Sequence, residues 1–331
     1  MGATMAICVC GPSALELYRN RGRMAPELLE CARTSRLDGC VIPAGLALKD
    51  ATRQLGLSRR PYHLMVSAQH RARSMDDVIR HVRKQPLPPR SLLCLEGSAL
   101  VASPELTFYE LALTYKRDRR LPMDEVDLAL VGFELCGTYL LDEDEAAWTG
   151  FINTGAALTS AEKIARVLAR LEGARSVRKA ARALALVLDG SNSPMETILA
   201  LMLTLPRRLG GMGFRGASMN YGVDTPAGPK WVDIAFPQQR VGVEYKGRDP
   251  HSVERTGRDD RRQNKLHGSG WTVINVWYED VVVAALYQEL VRDIASALGV
   301  RLRIRDKGFE ARRRILLSRL VPAFKRYGSV A

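Results

Sequence analysis

The chain has 331 residues, of which 46% are hydrophobic and 26% are charged, and its formal net charge is +13. This length exceeds the size at which a single hydrophobic core usually stops growing, so we expect more than one domain. No apolar run is long enough to cross a bilayer, and the N-terminus lacks the pattern of a secretion signal. These features argue against a membrane partner and favour a cytoplasmic protein.

The six cysteines predict neither a disulfide framework nor a zinc site. None of them belongs to a CxxC pair, the short spacing that is typical of zinc sites and redox motifs. We therefore expect buried or idle thiols at all six positions, which are Cys8, Cys10, Cys31, Cys40, Cys94 and Cys136.

Residues 1–150 have the pattern of a mixed α/β domain. A capping box at 13–16 predicts the start of one helix, and Ser-Pro-Glu at 103–105 predicts the start of another. Apolar runs predict short strands or buried turns at 41–46, 63–66 and 92–101. An acidic run, followed by glycine and other turn-forming residues, predicts the end of this domain near residue 150.

Residues 151–190 have the pattern of two helices. A capping box at 159–162 precedes apolar residues at helical spacing, and Gly173 separates them from a second apolar stripe. We expect these helices to form a connector between the first domain and a second domain at 191–300.

The stretch 231–247 places three charged residues on two apolar runs. Asp233 lies on the first run, which Pro237 closes, and Glu244 and Lys246 lie on the second. The surrounding Val, Ile, Phe and Tyr residues favour strands, so a β-hairpin is the simplest structure. Alternate residues of a strand share a face, and pairing across the hairpin would bring Asp233 beside Glu244.

This arrangement favours a metal site for phosphodiester hydrolysis. Two neighbouring carboxylates repel each other unless a cation lies between them, and Mg²⁺ and Mn²⁺ prefer oxygen ligands of this kind. Lys246 would then orient a water nucleophile and stabilise the negative charge of the transition state. An ordinary cross-strand ion pair between Lys246 and an acid explains the same pattern without a metal.

Further motifs accompany the hairpin in a fixed order between residues 193 and 281. Ser-Pro-Met-Glu at 193–196 precedes it, and Glu-Tyr-Lys-Gly at 244–247 ends it. A helix pattern with Asp259, Arg262 and Leu266 then leads into Gly-Trp-Thr-Val at 270–273. This order resembles the PD-(D/E)XK nuclease superfamily, in the branch similar to the very short patch repair endonuclease Vsr.

The resemblance implies a restriction-endonuclease-like αβ domain with a central mixed sheet. Asp233, Glu244 and the carbonyl oxygen of Tyr245 would bind Mg²⁺, for which Mn²⁺ can substitute. Lys246 would position the nucleophile. Many relatives carry aspartate at the position of Lys246, so the lysine marks either a more typical nuclease site or one that has drifted.

The resemblance also implies supporting residues. Glu196 would lie beyond the metal ligands or bind a second ion, although Ser193 and Glu196 also make a complete capping box. His251, Asp259 and Arg262 would be accessory residues, and helical spacing equally explains Asp259 and Arg262 as part of a solvated helix face.

Basic residues predict contact with nucleic acid. Residues 301–331 contain ten Lys or Arg and only two acids, which predicts a basic C-terminal tail. Such a segment favours a polyanion through counterion release, and a solubilising tail or a surface for an acidic protein is the alternative. The residues expected to contact phosphates are Arg261, Lys265, Arg301, Arg303, Arg312, Arg313 and Arg314.

Stretches of the first domain resemble AbiEi-like antitoxin and abortive-infection proteins, to which a Vsr-like domain is often appended. They are the Ser-Ala-Leu at 13–15 and the segments 103–112 and 130–142. This second resemblance implies a toxin or another protein as a partner.

Two functions follow from these patterns. The first is a metal-dependent endonuclease that hydrolyses phosphodiester bonds in DNA, and a homodimer would allow it to cut both strands. The second is a nucleic-acid-binding or antitoxin-like regulatory protein that keeps the nuclease fold without its chemistry. A metal requirement for cleavage distinguishes the first from the second.

Overall fold

In the computed structural model the chain forms two compact units, one of Met1–Glu145 with Ile152–Val187 and the other of Ala146–Phe151 with Leu188–Ala331. The structure describes residues 6–68, 75–113, 118, 122–142, 150–246 and 253–328, with the backbone alone at 253–260 and 321–328. Both units contain helices and strands, which confirms the expected α/β class.

A mixed six-stranded sheet forms the centre of the first unit. The described strands up to residue 153 are β1 (Ile7–Val9), β2 (Arg33–Thr34), β3 (Tyr62–Ser67), β4 (Val78–Arg83), β5 (Leu92–Leu95), β6 (Ala99–Ala102), β7 (Tyr139–Leu141) and β8 (Phe151–Asn153). The order of the six-stranded sheet is β2-β5-β6-β1-β3-β4. Within it, β1 is parallel to β6 and antiparallel to β3, and β3 is parallel to β4.

The described helices of the first unit are α1 (Gly11–Arg21), α2 (Gly45–Gln54), α3 (Pro104–Leu111), α4 (Glu125–Leu135), α5 (Ala161–Arg170) and α6 (Val177–Leu184), with 3₁₀ turns at Gly22–Glu30 and Glu96–Ser98. The segment 151–190 was expected to be a connector, whereas α5 packs against α3 and α6 against α4. Ile164 and Leu168 of α5 and Ala180, Ala183 and Leu184 of α6 are buried. The two helices therefore belong to the first unit, which extends to Val187.

The predicted helix starts have different outcomes. At α3 the cap is confirmed, because the Ser103 hydroxyl accepts a hydrogen bond from the third residue of the helix. At α1 the predicted capping box is wrong. The Ser13 hydroxyl accepts from the backbone N–H of His63 at 3.0 Å, and the Glu16 carboxylate accepts from the backbone N–H of Ser58 at 2.7 Å. Ser13 and Glu16 therefore form hydrogen bonds to distant parts of the chain and do not cap the helix.

Two of the three apolar runs predicted as strands or buried turns in the first unit form strands. The run at 63–66 lies within β3, and the run at 92–101 contains β5 and β6, as predicted. The run at 41–46 forms no strand and leads into α2, which begins at Gly45. Gly45 has a positive φ of 57°, a backbone conformation that interrupts an extended chain.

A smaller mixed sheet forms the centre of the second unit. The described elements are α7 (Pro194–Thr204), a 3₁₀ turn (Arg207–Leu209), β9 (Ser218–Val223), β10 (Lys230–Phe236), β11 (Val241–Tyr245), α8 (Val253–Gly268), β12 (Thr272–Val276), α9 (Tyr278–Val282), α10 (Ala284–Ala297) and α11 (Phe309–Gly328). The sheet order is β12-β11-β10-β9. The predicted hairpin is present as β10 and β11, and β11 runs parallel to β12.

The basic segment 301–331 was expected to be a tail, but much of it is the helix α11, which packs against α7. Its apolar residues Phe309, Leu316 and Leu320 are buried in this packing. The helix α11 also packs against the 3₁₀ turn Arg207–Leu209, and at Gly210, directly after this turn, an added Cβ would lie 2.6 Å from the carbonyl oxygen of Arg312. Gly210 also has a φ of 94°, so glycine fits both the turn and the close approach.

Candidate active site

The hairpin brings Asp233 and Glu244 to neighbouring positions. Its paired residues include Ile234 opposite Val243, and the next step along the two strands reaches Asp233 and Glu244. Opposed residues of a hairpin point to the same face. A carboxylate oxygen of Asp233, Oδ2, accepts a hydrogen bond from the backbone N–H of Tyr245 at 2.9 Å, so Asp233 is held against the end of β11.

The two carboxylate oxygens of Glu244 have different surroundings. Oε2 accepts hydrogen bonds from Lys246 Nζ at 2.9 Å and from Arg262 Nη1 at 2.8 Å. Oε1 is buried and has no hydrogen-bond partner among the residues that the structure describes. Because a buried carboxylate oxygen is costly to leave without a partner, Oε1 is suited to binding a cation.

Hydrogen bonds to backbone carbonyl oxygens hold Lys246 and Arg262 in place around Glu244. Lys246 follows β11, and its N–H donates to the carbonyl oxygen of Val276 at 2.8 Å, which ties it to β12. Arg262 lies on α8, and its second guanidinium nitrogen donates to the carbonyl oxygen of Trp231 on β10. Arg262 was expected to be an accessory residue, and the structure places it in direct contact with Glu244.

Glu196 has a capping role and also lies in the electrostatic field of the site. The Ser193 hydroxyl accepts from the Glu196 N–H at 3.2 Å, which is the predicted N-cap. The Glu196 carboxylate accepts from the N–H of Asn192 at 3.0 Å and from Asn220 Nδ2 at 2.7 Å. Burial raises the pKa of Glu196, and these hydrogen bonds partly oppose the change.

The pKa of Asp233 is strongly shifted from its ordinary value. Burial raises the pKa of Asp233 to about 7, and the negative charges of Glu196 and Glu244 act in the same direction. The hydrogen bond from Tyr245 and the charge of Arg262 lower it in part. Three carboxylates therefore influence one another, which is an arrangement that a divalent cation would relieve.

The pKa of Asp233 predicts a pH-dependent stability. The folded pKa of about 7 exceeds the ordinary value of about 3.9, so the folded protein binds more protons between these values and its stability falls as pH rises. In chelator, we expect the parental protein to lose about 1–3 kcal/mol relative to Asp233→Asn between about pH 5 and pH 8. Thermal unfolding of both proteins across this range measures the difference, and a constant difference would contradict the assignment.

Two predicted accessory residues have no described side chain. His251 is outside the described residues, and of Asp259 only the backbone, within α8, is described. Within the described part of the chain, Asp233, Glu244 and Glu196 do not form a trio whose ligand atoms all lie within 4.8 Å of one another. Glu196 is therefore not a third close ligand beside Asp233 and Glu244.

The basic residues expected to bind nucleic acid fall into two groups. Arg313 is only 4% exposed, forms an ion pair with Glu310 and lies over the ring of Tyr287, so its prediction as a phosphate contact is wrong. Arg312 donates to the carbonyl oxygen of Arg207 at 3.2 Å and also contributes to packing. The exposed members are Arg261, Lys265, Arg301, Arg303 and Arg314.

Two exposed tryptophans near the hairpin were not predicted as site residues. Trp231 is 59% exposed and precedes Asp233 by two positions on β10. Trp277 is 47% exposed and follows Val276, the residue that pairs with the backbone of Lys246. The apolar residues around both tryptophans predicted only that they lie on strands. The structure shows that both rings are exposed to solvent.

No family model, curated protein or solved structure matches the chain. None of the described helices is long and apolar enough to cross a membrane. The assignment of a function therefore depends on the chemistry of the site itself.

Proposed function

We propose that the chain is a metal-dependent endonuclease that hydrolyses phosphodiester bonds in DNA. The observation that carries this proposal is the environment of Glu244. One of its buried oxygens has no partner among the described residues, and the other is shared by Lys246 and Arg262. With Asp233 at the neighbouring position, the site combines two carboxylates and two cations on one hairpin end.

The residues present fit a hard divalent cation. Asp233, Glu244 and the carbonyl oxygen of Tyr245 are oxygen donors, which suit Mg²⁺ or Mn²⁺. The pKa of Asp233 is raised first by burial and then by the negative charges of Glu196 and Glu244, and a cation would offset these charges. When bound, the ion would polarise the phosphoryl group and lower the pKa of a water molecule.

The protein's own cations would act on the phosphate. Oε2 of Glu244 holds the Lys246 ammonium beside the carboxylates, where it would orient the attacking water and stabilise developing negative charge. The guanidinium of Arg262 has the same anchor and is also fixed to β10. Because both groups are positioned before substrate arrives, little reorganisation is needed in the transition state.

The surroundings offer contacts for a DNA strand. Arg261 and Lys265 are exposed on α8, the helix that brings Arg262 to Glu244, and they would contact phosphates. The exposed rings of Trp231 and Trp277 would stack on bases.

A second candidate function is a nucleic-acid-binding or antitoxin-like regulator without chemistry. The observation that favours it is that Lys246 and Arg262 already neutralise Glu244 within the chain. This function predicts DNA binding that weakens with salt and is insensitive to EDTA. It would involve a toxin partner, whereas double-strand cleavage would involve two copies of the chain.

Cleavage of supercoiled plasmid in Mg²⁺, Mn²⁺ or EDTA tests the proposal. We expect nicked or linear products with either ion, no products with EDTA, and no products from folded Asp233→Asn. Tight DNA retention without cleavage under any of these conditions would contradict the nuclease function and support the regulator.

A further inference from the structure

Three buried side chains meet in the first unit, far along the sequence from one another. Cys10 lies between β1 and α1, His81 lies on β4, and Glu110 lies on α3. One ligand atom of each side chain lies within 4.8 Å of the other two. The sequence predicted an idle thiol at Cys10 and no zinc site, because these three residues are too far apart along the chain to form a recognisable metal-binding motif.

A chain of hydrogen bonds connects His81 to Asp118 through His63. Asp118 Oδ2 is 2.7 Å from His63 Nε2, and His63 Nδ1 is 2.8 Å from His81 Nε2. In the tautomer that metal binding requires, His63 Nε2 donates to the Asp118 carboxylate and His63 Nδ1 accepts from His81 Nε2. The lone pair of His81 then lies on Nδ1, and such support through the opposite ring nitrogen is typical of metal-binding histidines.

A nucleophilic role for Cys10 is disfavoured. The side chain is 0% exposed, and burial raises its thiol pKa well above the ordinary value, with the charge of Glu110 adding to the effect. Burial also lowers the pKa of His81 well below its ordinary value, which keeps the imidazole neutral. A buried thiol, an imidazole and a carboxylate whose ligand atoms lie this close together make a donor set for a metal ion, and metal binding would displace the thiol proton.

The donor atoms select the class of ion. A thiolate disfavours Mg²⁺ and Ca²⁺, whereas sulfur, nitrogen and oxygen together suit zinc. Ligand atoms around tetrahedral zinc lie about 3.3–3.8 Å apart, so the trio needs only a small contraction. The thiolate of Cys10 and the carboxylate of Glu110, which also forms an ion pair with Arg83, would face the two positive charges of the ion.

We propose that Cys10, His81 and Glu110 supply three ligands of a buried zinc ion that would join the start of α1 to β4 and α3. Glu110 is already held in place by the N–H of Gly11 at 2.8 Å and by Arg83. All three ligands are buried, so the ion would contribute to stability; they belong to the first unit, whereas Asp233 and Glu244 belong to the second.

Cobalt substitution tests the site, because Co²⁺ bound to a thiolate gives a charge-transfer absorption in the near ultraviolet. The full chain, unfolded in chelator and refolded with Co²⁺, is expected to bind one ion with this absorption, and Zn²⁺ is expected to displace it. Cys10→Ser is expected to lose the absorption. The matched control Cys40→Ser, which alters another buried cysteine, and Glu244→Gln are both expected to retain it.

A variant outside the ligand set covers the case in which Cys10→Ser does not fold. Asp118→Asn is expected to weaken Zn²⁺ binding about 10- to 100-fold by removing the support of His63 and His81. Refolded parental protein without a thiolate-to-cobalt absorption would overturn the proposal, as would an unchanged absorption in folded Cys10→Ser. Unchanged Zn²⁺ affinity in Asp118→Asn would overturn the assigned role of the hydrogen-bond chain.

Discussion

The variant Glu244→Gln is expected to lower the rate of DNA cleavage about a thousandfold while the protein remains folded. The amide oxygen of glutamine can take the place of Oε2 and keep the hydrogen bonds to Lys246 and Arg262. The amide nitrogen then takes the place of Oε1 and presents a donor where the cation needs an acceptor. The variant thus preserves the packing of the site and removes its metal affinity.

Plasmid cleavage and thermal unfolding together measure this effect. In the parental protein Mg²⁺ is expected to raise the unfolding temperature, and in Glu244→Gln this rise is expected to disappear. Glu289→Gln, which changes an exposed glutamate on α10, is the matched control and is expected to behave as the parent. Parental cleavage by folded Glu244→Gln would contradict the assigned site.

The variant Lys246→Met is expected to lower kcat for cleavage about 10²- to 10³-fold and to change DNA affinity much less. Methionine retains the length of the side chain and removes the cation that would act on the transition state. Glu244 keeps its ion pair with Arg262, so the buried carboxylate is not left without a counter-charge. The Mg²⁺-dependent rise in unfolding temperature is therefore expected to persist.

Single-turnover cleavage with saturating DNA separates this loss of rate from a loss of binding. Lys246→Arg is expected to recover part of the rate, since it restores a cation with different geometry. Lys163→Met, on an exposed face of α5 in the other unit, controls for the removal of one positive charge. A normal rate for Lys246→Met would exclude the lysine from the chemistry.

The hairpin was predictable because its determinants are local. The alternation of apolar residues and the proline at 237 indicate two strands, and their register then places Asp233 next to Glu244. The N-cap at Ser193 was predictable for the same reason, since it involves only the first turn of α7. Each of these features depends only on residues of the same hairpin or of the same helical turn.

The remaining features depend on contacts between distant segments. Nothing in the local pattern of α8 shows that Arg262 reaches Glu244, or that Glu196 combines a capping role with an effect on Asp233. At α11 a signal was present, because Phe309, Leu316 and Leu320 lie at helical spacing. The density of arginines hid this apolar stripe and favoured the prediction of a tail.

The packing of α7 sets the boundaries of a fragment that would carry the proposed nuclease site. Every residue from Pro194 to Leu203 is buried, with β10 and β11 among the neighbours of the helix and α11 as another. A gene fragment that stops before Phe309 would expose part of this apolar helix, which itself carries Glu196, to water. An expression clone of the second unit should therefore include α11, and a purification tag is better placed before Leu188 than within that helix.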